Sequence, residues 1–70
     1  MVDNVIKGSA RRHGIADSDI RHAVANAIRV WPMDGFDMIV GPARDGSLIE
    51  VGINRDSDIF HAMTARRKFL

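Results

Sequence analysis

Two Asp-Gly pairs, Asp34-Gly35 and Asp45-Gly46, each lie between stretches of alternating apolar residues. Asp-Gly in that setting is the strongest short-range signal for a β-hairpin, because both residues tolerate the positive φ angles that a tight primed turn demands. A third polar run, Asn54 to Asp58, separates one more pair of apolar stretches. The chain beyond Ala27 therefore reads as a meander of four strands. Before it the apolar period is helical. From Asn4 to His13 the residues suit a first helix, with Val5, Ile6 and Ala10 apolar and Gly14 as a C-terminal stop. A second helix is expected from Ser18 to Ala27: Asp17 or Ser18 can cap it, Asp19 suits its positive end, and Ile20, Ala23, Val24, Ala27 and Ile28 share a face. The expected fold is α+β, two N-terminal helices packed on one face of a four-stranded antiparallel meander sheet, as a single domain over residues 1–70.

Taking both Asp-Gly pairs as two-residue loops sets a register. Trp31 and Met33 then share a sheet face with Phe36, Met38 and Val40, and the face continues through Ile49, Val51 and Ile53 to Phe60 and Ala62. One continuous apolar face is what two amphipathic helices need for a core. The opposite face is expected to carry Gly41, Leu48, Glu50, Gly52, Ile59, His61 and Met63. If the last hairpin closes between Ile53 and Asp58 across a four-residue loop, Glu50, the only glutamate, lies directly across from His61. Val30, Ile39, Leu48, Ile59 and Met63 would leave this outer face apolar enough to suggest a protein partner.

Composition narrows the function. Seventy residues carry ten Lys or Arg, nine Asp or Glu and no cysteine, so disulfides and thiolate zinc sites are excluded. A domain of this size buries only about 60% of the surface its unfolded chain exposes, so a partner subunit would help it. No apolar stretch approaches the roughly 18 residues of a membrane span, and no charged head with an apolar run marks a signal peptide, so the expected compartment is the cytoplasm. Near-neutral net charge argues against a histone-like wrapper. Positive charge nevertheless collects at the two ends, as Arg11-Arg12-His13 and Arg66-Arg67-Lys68, while the middle is acidic. His13, His22 and His61 have no metal-ligand spacing, no metal site is expected, and no glycine-rich phosphate loop points to a nucleotide cofactor.

Metal-independent RNA cleavage needs a base for the 2′-hydroxyl, an acid for the leaving oxygen and cations around the phosphorane. Histidine is the side chain suited to proton transfer at physiological pH, and His61 faces away from the expected core, with Glu50 placed to set its tautomer or share the proton work. The same pair read as structure is an ordinary cross-strand ion pair. Arg66, Arg67 and Lys68 follow the last strand within reach of that face and can hold a phosphate, or simply be solvated. Arg11, Arg12 and His13 suit the negative end of a helix. Trp31 is read as core, although it could stack a base, and His22 as a surface residue.

The segments Ala10-Arg11-Arg12-His13-Gly14-Ile15, Ile39-Val40-Gly41, Gly46-Ser47-Leu48-Ile49-Glu50-Val51 and Ile59-Phe60-His61-Ala62-Met63-Thr64-Ala65-Arg66, in this order and over nearly the whole chain, resemble the BrnT-like toxins of the wider RelE-like ribonuclease group. The ending departs from the family's Ile-Ser-Ala-Arg type. The resemblance implies a compact RelE-like fold and the toxin component of a type II toxin–antitoxin system: a cytoplasmic endoribonuclease that cuts mRNA, free or on the ribosome, and so inhibits translation and growth until a cognate antitoxin silences it. It marks Arg66 as the matching arginine of a catalytic set with His61 and Glu50, and implies phosphate contacts for Arg12 and His13, to which Arg67 and Lys68 are added by position. Two other functions stay open: a non-catalytic RNA- or protein-binding module of the same fold, and a homodimer that pairs its open faces.

Overall fold

The helical signal around Ile20 is realised as α1, Asp17–Ala25. No side chain caps it; Ala16 stands at the N-cap, and its carbonyl accepts from the amides of Asp19 and Ile20, both at 3.0 Å. Asp17 and Asp19 occupy the first turn, where negative charge complements the helix dipole. At the other end the backbone N–H and side-chain amide of Asn26 both donate to the His22 carbonyl. Ile20 and Ala23 are fully buried against the sheet.

The structure, a computed structural model describing residues 4–70, contains this one α-helix and not two. Where a first helix was expected over Asn4 to His13, Ile6 forms a parallel bridge with Ile59, and only a single 3₁₀ turn, Gly8–Arg11, follows. The bridge is made by Ile59 N–H to the Val5 carbonyl and Lys7 N–H to the Ile59 carbonyl, each 2.8 Å. Gly8 is a weak helix former, and the extended path gives the edge of the sheet a backbone partner while burying Ile6 and Ala10. No helix among the described residues is long and apolar enough to cross a membrane.

Four strands follow: β1 Arg29–Met33, β2 Phe36–Pro42, β3 Leu48–Asn54 and β4 Ile59–Thr64, antiparallel throughout and adjacent in chain order. Asp34-Gly35 is the expected two-residue turn, with Met33 opposite Phe36 and Gly35 at φ +86°. Asp45-Gly46 is not. The Ala43 N–H donates to the Ser47 carbonyl at 2.8 Å, so the loop is Arg44-Asp45-Gly46, with Gly46 at φ +90° and the Asp45 carboxylate accepting from both the amide and hydroxyl of Ser47. Val40 consequently faces Glu50 and not Val51. A slip of one residue exchanges the faces of β1 and β2 relative to β3.

The single apolar face expected from the sequence is thus divided between two. On the α1 side, Ile49, Val51, Ile59 and Ala62 pack with Ile6, Ala10, Ile20 and Ala23. On the other side, Met38 and Val40 pack with Phe69, bordered by Trp31, Phe36, Leu48 and Ala65. Phe69 arrives on a short C-terminal 3₁₀ turn, Arg67–Phe69, and its carbonyl accepts the Trp31 indole N–H at 2.8 Å. The face expected to lie open is therefore partly covered, and Ile59, assigned to it, sits in the α1-side core.

Gly41 sets how closely α1 approaches β2, because a Cβ there would collide with the Ala23 carbonyl. Gly41→Ala is expected to cost about 1–3 kcal/mol in urea unfolding, the usual cost of overpacking. Gly8→Ala, with nothing near the added methyl, is the control and should not lower the midpoint.

Candidate active site

The β3–β4 hairpin brings the candidate residues together by two departures from the expected register. Its loop is shorter than four residues: the Asn54 amide donates to the Asp58 carbonyl, and the Asn54 side-chain oxygen accepts from the amides of Asp56 and Asp58, all at 3.0 Å, with Ser57 at φ 65°. A β-bulge then inserts Phe60, so that Ile53 pairs with Ile59 but Gly52 pairs with His61. Each departure moves the register by one residue. Their sum is two, so His61 stays on the face of Glu50. Glu50 lies directly across from Met63 instead, and His61 meets it on the diagonal, Nε2 to Oε2 at 2.9 Å. Gly52 keeps this path clear, since a Cβ there would stand 2.9 Å from the Phe60 ring and 3.1 Å from the His61 Cβ.

Glu50 is completely inaccessible to solvent. A carboxylate in that position survives as an ion only if hydrogen bonds replace its water. Arg66 supplies most of them: its backbone N–H reaches Oε1 at 2.8 Å, its Nη2 reaches Oε2 at 2.7 Å, and its Nε lies 3.1 Å from each oxygen. Burial pushes the Glu50 carboxyl upward, but the side-chain and backbone bonds from Arg66, with the bond from His61, prevail and hold it at about 2 against an ordinary 4.5. The same contact raises the Arg66 guanidinium. An ionised carboxylate only accepts, so the His61 nitrogen facing it must carry a hydrogen. The neutral imidazole then has its lone pair on Nδ1.

His61 is also one wall of a cleft of about 240 Å³, lined by Ser9, Arg12, His13 and Phe60 besides. The rings of His13 and His61 stand 5.9 Å apart, nearly perpendicular. The segment carrying Arg12 and His13 is held to β4 by the Ser9 hydroxyl, which donates to the Phe60 carbonyl at 2.7 Å, and to α1 by a bidentate Arg11–Asp17 pair. Arg11 is thereby occupied, whereas Arg12 has no carboxylate partner among the described residues. A cation and two imidazoles thus border a space large enough for a phosphodiester.

Of the residues singled out in the sequence, Glu50 contacts both His61 and Arg66, and Arg12 and His13 share the cleft with His61. Glu50 and Arg66 do not line that cleft; they lie behind the imidazole. Arg67 and Lys68 are exposed on the C-terminal turn outside it, with Lys68 over the Phe69 ring at 5.2 Å. Trp31 is bound to Phe69 on the C-terminal side of the sheet and takes no part. His22, expected on the surface, is half-buried and hydrogen-bonds the Pro42 carbonyl at 2.7 Å through Nδ1. Ser9 and Phe60 were not foreseen. Nothing in the local sequence marks Ser9, and Phe60 enters the cleft wall because of the bulge.

Glu50 binds a proton in the unfolded chain near 4.5 but in the folded one only near 2, so its contribution to stability is complete above 4.5 and is lost as pH falls through 2. Wild type should lose urea resistance steeply between pH 5 and pH 2, and Glu50→Gln, less stable at pH 7, should lose distinctly less over that interval. Arg66→Ala, which leaves the buried carboxylate short of partners, is expected to lower the urea midpoint clearly at pH 7. Arg66→Lys should recover little of this, because an ammonium lacks the planar fork.

Compared with known proteins, the chain matches no family model, no curated protein and no solved structure.

Proposed function

We propose that this protein is the toxin of a type II toxin–antitoxin system, a metal-independent endoribonuclease that cleaves RNA by attack of a 2′-hydroxyl on the adjacent phosphate. In this proposal the helix and sheet are a compact RelE-like fold, and the target is mRNA, free or on the ribosome. The observation that carries the reading is His61: a buried, ionised carboxylate holds one nitrogen of the ring while the ring itself borders a cleft with Arg12, which has no carboxylate partner among the described residues.

The chemistry follows from that placement. Glu50 has no solvent access, and among the described residues every hydrogen bond to its side-chain oxygens comes from Arg66 or His61. It orients the imidazole and does not itself exchange protons with substrate, and Arg66 acts through Glu50. His61 is the group that removes the 2′-hydroxyl proton, and Arg12 balances the charge that builds on the phosphorane. Arg67 and Lys68 serve at most as outlying contacts to the RNA backbone. The exposed apolar side chains of Ile28, Val30 and Met33, beside and on edge strand β1, support a protein partner, which in this proposal is the cognate antitoxin.

The purified chain, given single-stranded RNA in a chelating buffer with and without ribosomes, should release fragments ending in 2′,3′-cyclic phosphate. A 2′-deoxy residue at the scissile position should abolish the cut. His61→Ala should slow cleavage by about 10²–10⁴-fold, and its expression without antitoxin should no longer arrest growth. RNA that is bound in a salt-dependent manner but stays intact under all conditions would assign the chain to the non-catalytic binding modules instead.

A further inference from the structure

With His61 as the proposed base, a phosphodiester still cannot break by this route without a proton for the departing 5′-oxygen, and Glu50 cannot supply one from inside the fold. We infer that His13 is the catalytic acid, and that the site works as a pair of neighbouring imidazoles that both reach a scissile phosphate bound in the one cleft; the inference rests on the ribonuclease reading.

Three observations support the pair. Both rings line the same cleft, at 5.9 Å between centroids and nearly perpendicular, so a phosphodiester bound there lies beside both. The arrangement is built into the fold: His13 lies between the 3₁₀ turn Gly8–Arg11 and Gly14, whose φ of +74° ends that segment. That turn is fastened to β4 by the Ser9–Phe60 and Lys7–Ile59 hydrogen bonds, and to α1 by Arg11–Asp17. The two histidines also differ in how they are held. The Glu50 bond dedicates His61 to one tautomer with a lone pair on Nδ1, the state required of a base. His13 is exposed and lies beyond the Glu50 network, so solvent can load it with the proton an acid must donate.

The step balances within the chain. His61 Nδ1 takes the 2′-hydroxyl proton as O2′ forms its bond to phosphorus. The P–O5′ bond breaks with its electron pair going to O5′, which takes the proton of the His13 imidazolium. The products are a 2′,3′-cyclic phosphate and a 5′-hydroxyl, and exchange with water restores both rings. No metal, oxidant or further reactant is required.

A substrate with sulfur in place of the bridging 5′-oxygen tests the assignment, because a thiolate leaves without a proton. On ordinary RNA, His13→Gln and His61→Gln should each be slowed about 10²–10⁴-fold. On the thio-substituted RNA, His13→Gln should cleave within a few-fold of wild type, while His61→Gln should remain defective. His13 is exposed, so its variant should keep the wild-type circular dichroism and unfolding midpoint. Equal defects of His13→Gln on both substrates, or none on either, would refute the acid role while leaving the ribonuclease reading intact. A wild-type chain that cuts neither substrate would overturn the ribonuclease reading, and the pair with it.

Discussion

A carboxylate sealed from water keeps its charge only while its neighbours do the work of solvent, and at Glu50 they are the amide and guanidinium of Arg66 and the imidazole of His61. The rest of the structure depends on that cluster. Glu50 belongs to β3, His61 to β4 and Arg66 to the segment beyond the sheet, so one side chain joins three stretches of chain. The bonds to Arg66 turn the C-terminus back over the sheet. There Phe69 closes on Met38 and Val40, and both Arg66 and Lys68 lie against its ring. In a domain this small, such an anchor gives the second sheet face an apolar cover that its own side chains are too few to provide.

The same cluster organises the candidate chemistry. A free imidazole tumbles between tautomers; one bound to an ionised carboxylate has a defined donor side and a defined acceptor side. The 3₁₀ turn then matters as much as the strands, since it carries Arg12 and His13 to the ring of His61 and is tied to the bulged strand at Ser9. Structural and chemical roles therefore divide cleanly. Glu50 and Arg66 hold the site from behind, and the residues that meet the cleft come from the turn and β4.

Much of this was legible in the residues. The meander, the helix around Ile20 and the turn at Asp34-Gly35 all follow from local pattern, because side-chain alternation and turn chemistry are properties of neighbours in the chain. The errors have a common origin in loop length. Asp45-Gly46 reads equally well as two loop residues or as the last two of three, and choosing two moves Trp31, Met38 and Val40 to the wrong side. At the last hairpin a shorter loop and the Phe60 bulge shift the register twice, and parity restores His61 to the face of Glu50. The first expected helix fails for another reason: a weak local preference, already lowered by Gly8, loses to the backbone pairing of Ile6 with Ile59.

The sequence by itself determined the α+β class of fold, the helix around Ile20 and the order of the four strands, since these rest on periodicity and turn residues. Only the tertiary structure decided that Glu50 is buried, that Arg66 supports it from behind, and that His13 and Ser9 reach the ring of His61. Those facts depend on hydrogen bonds and packing between segments 16 to 51 residues apart, and the free energy of such contacts is set by which surfaces the whole chain removes from water together.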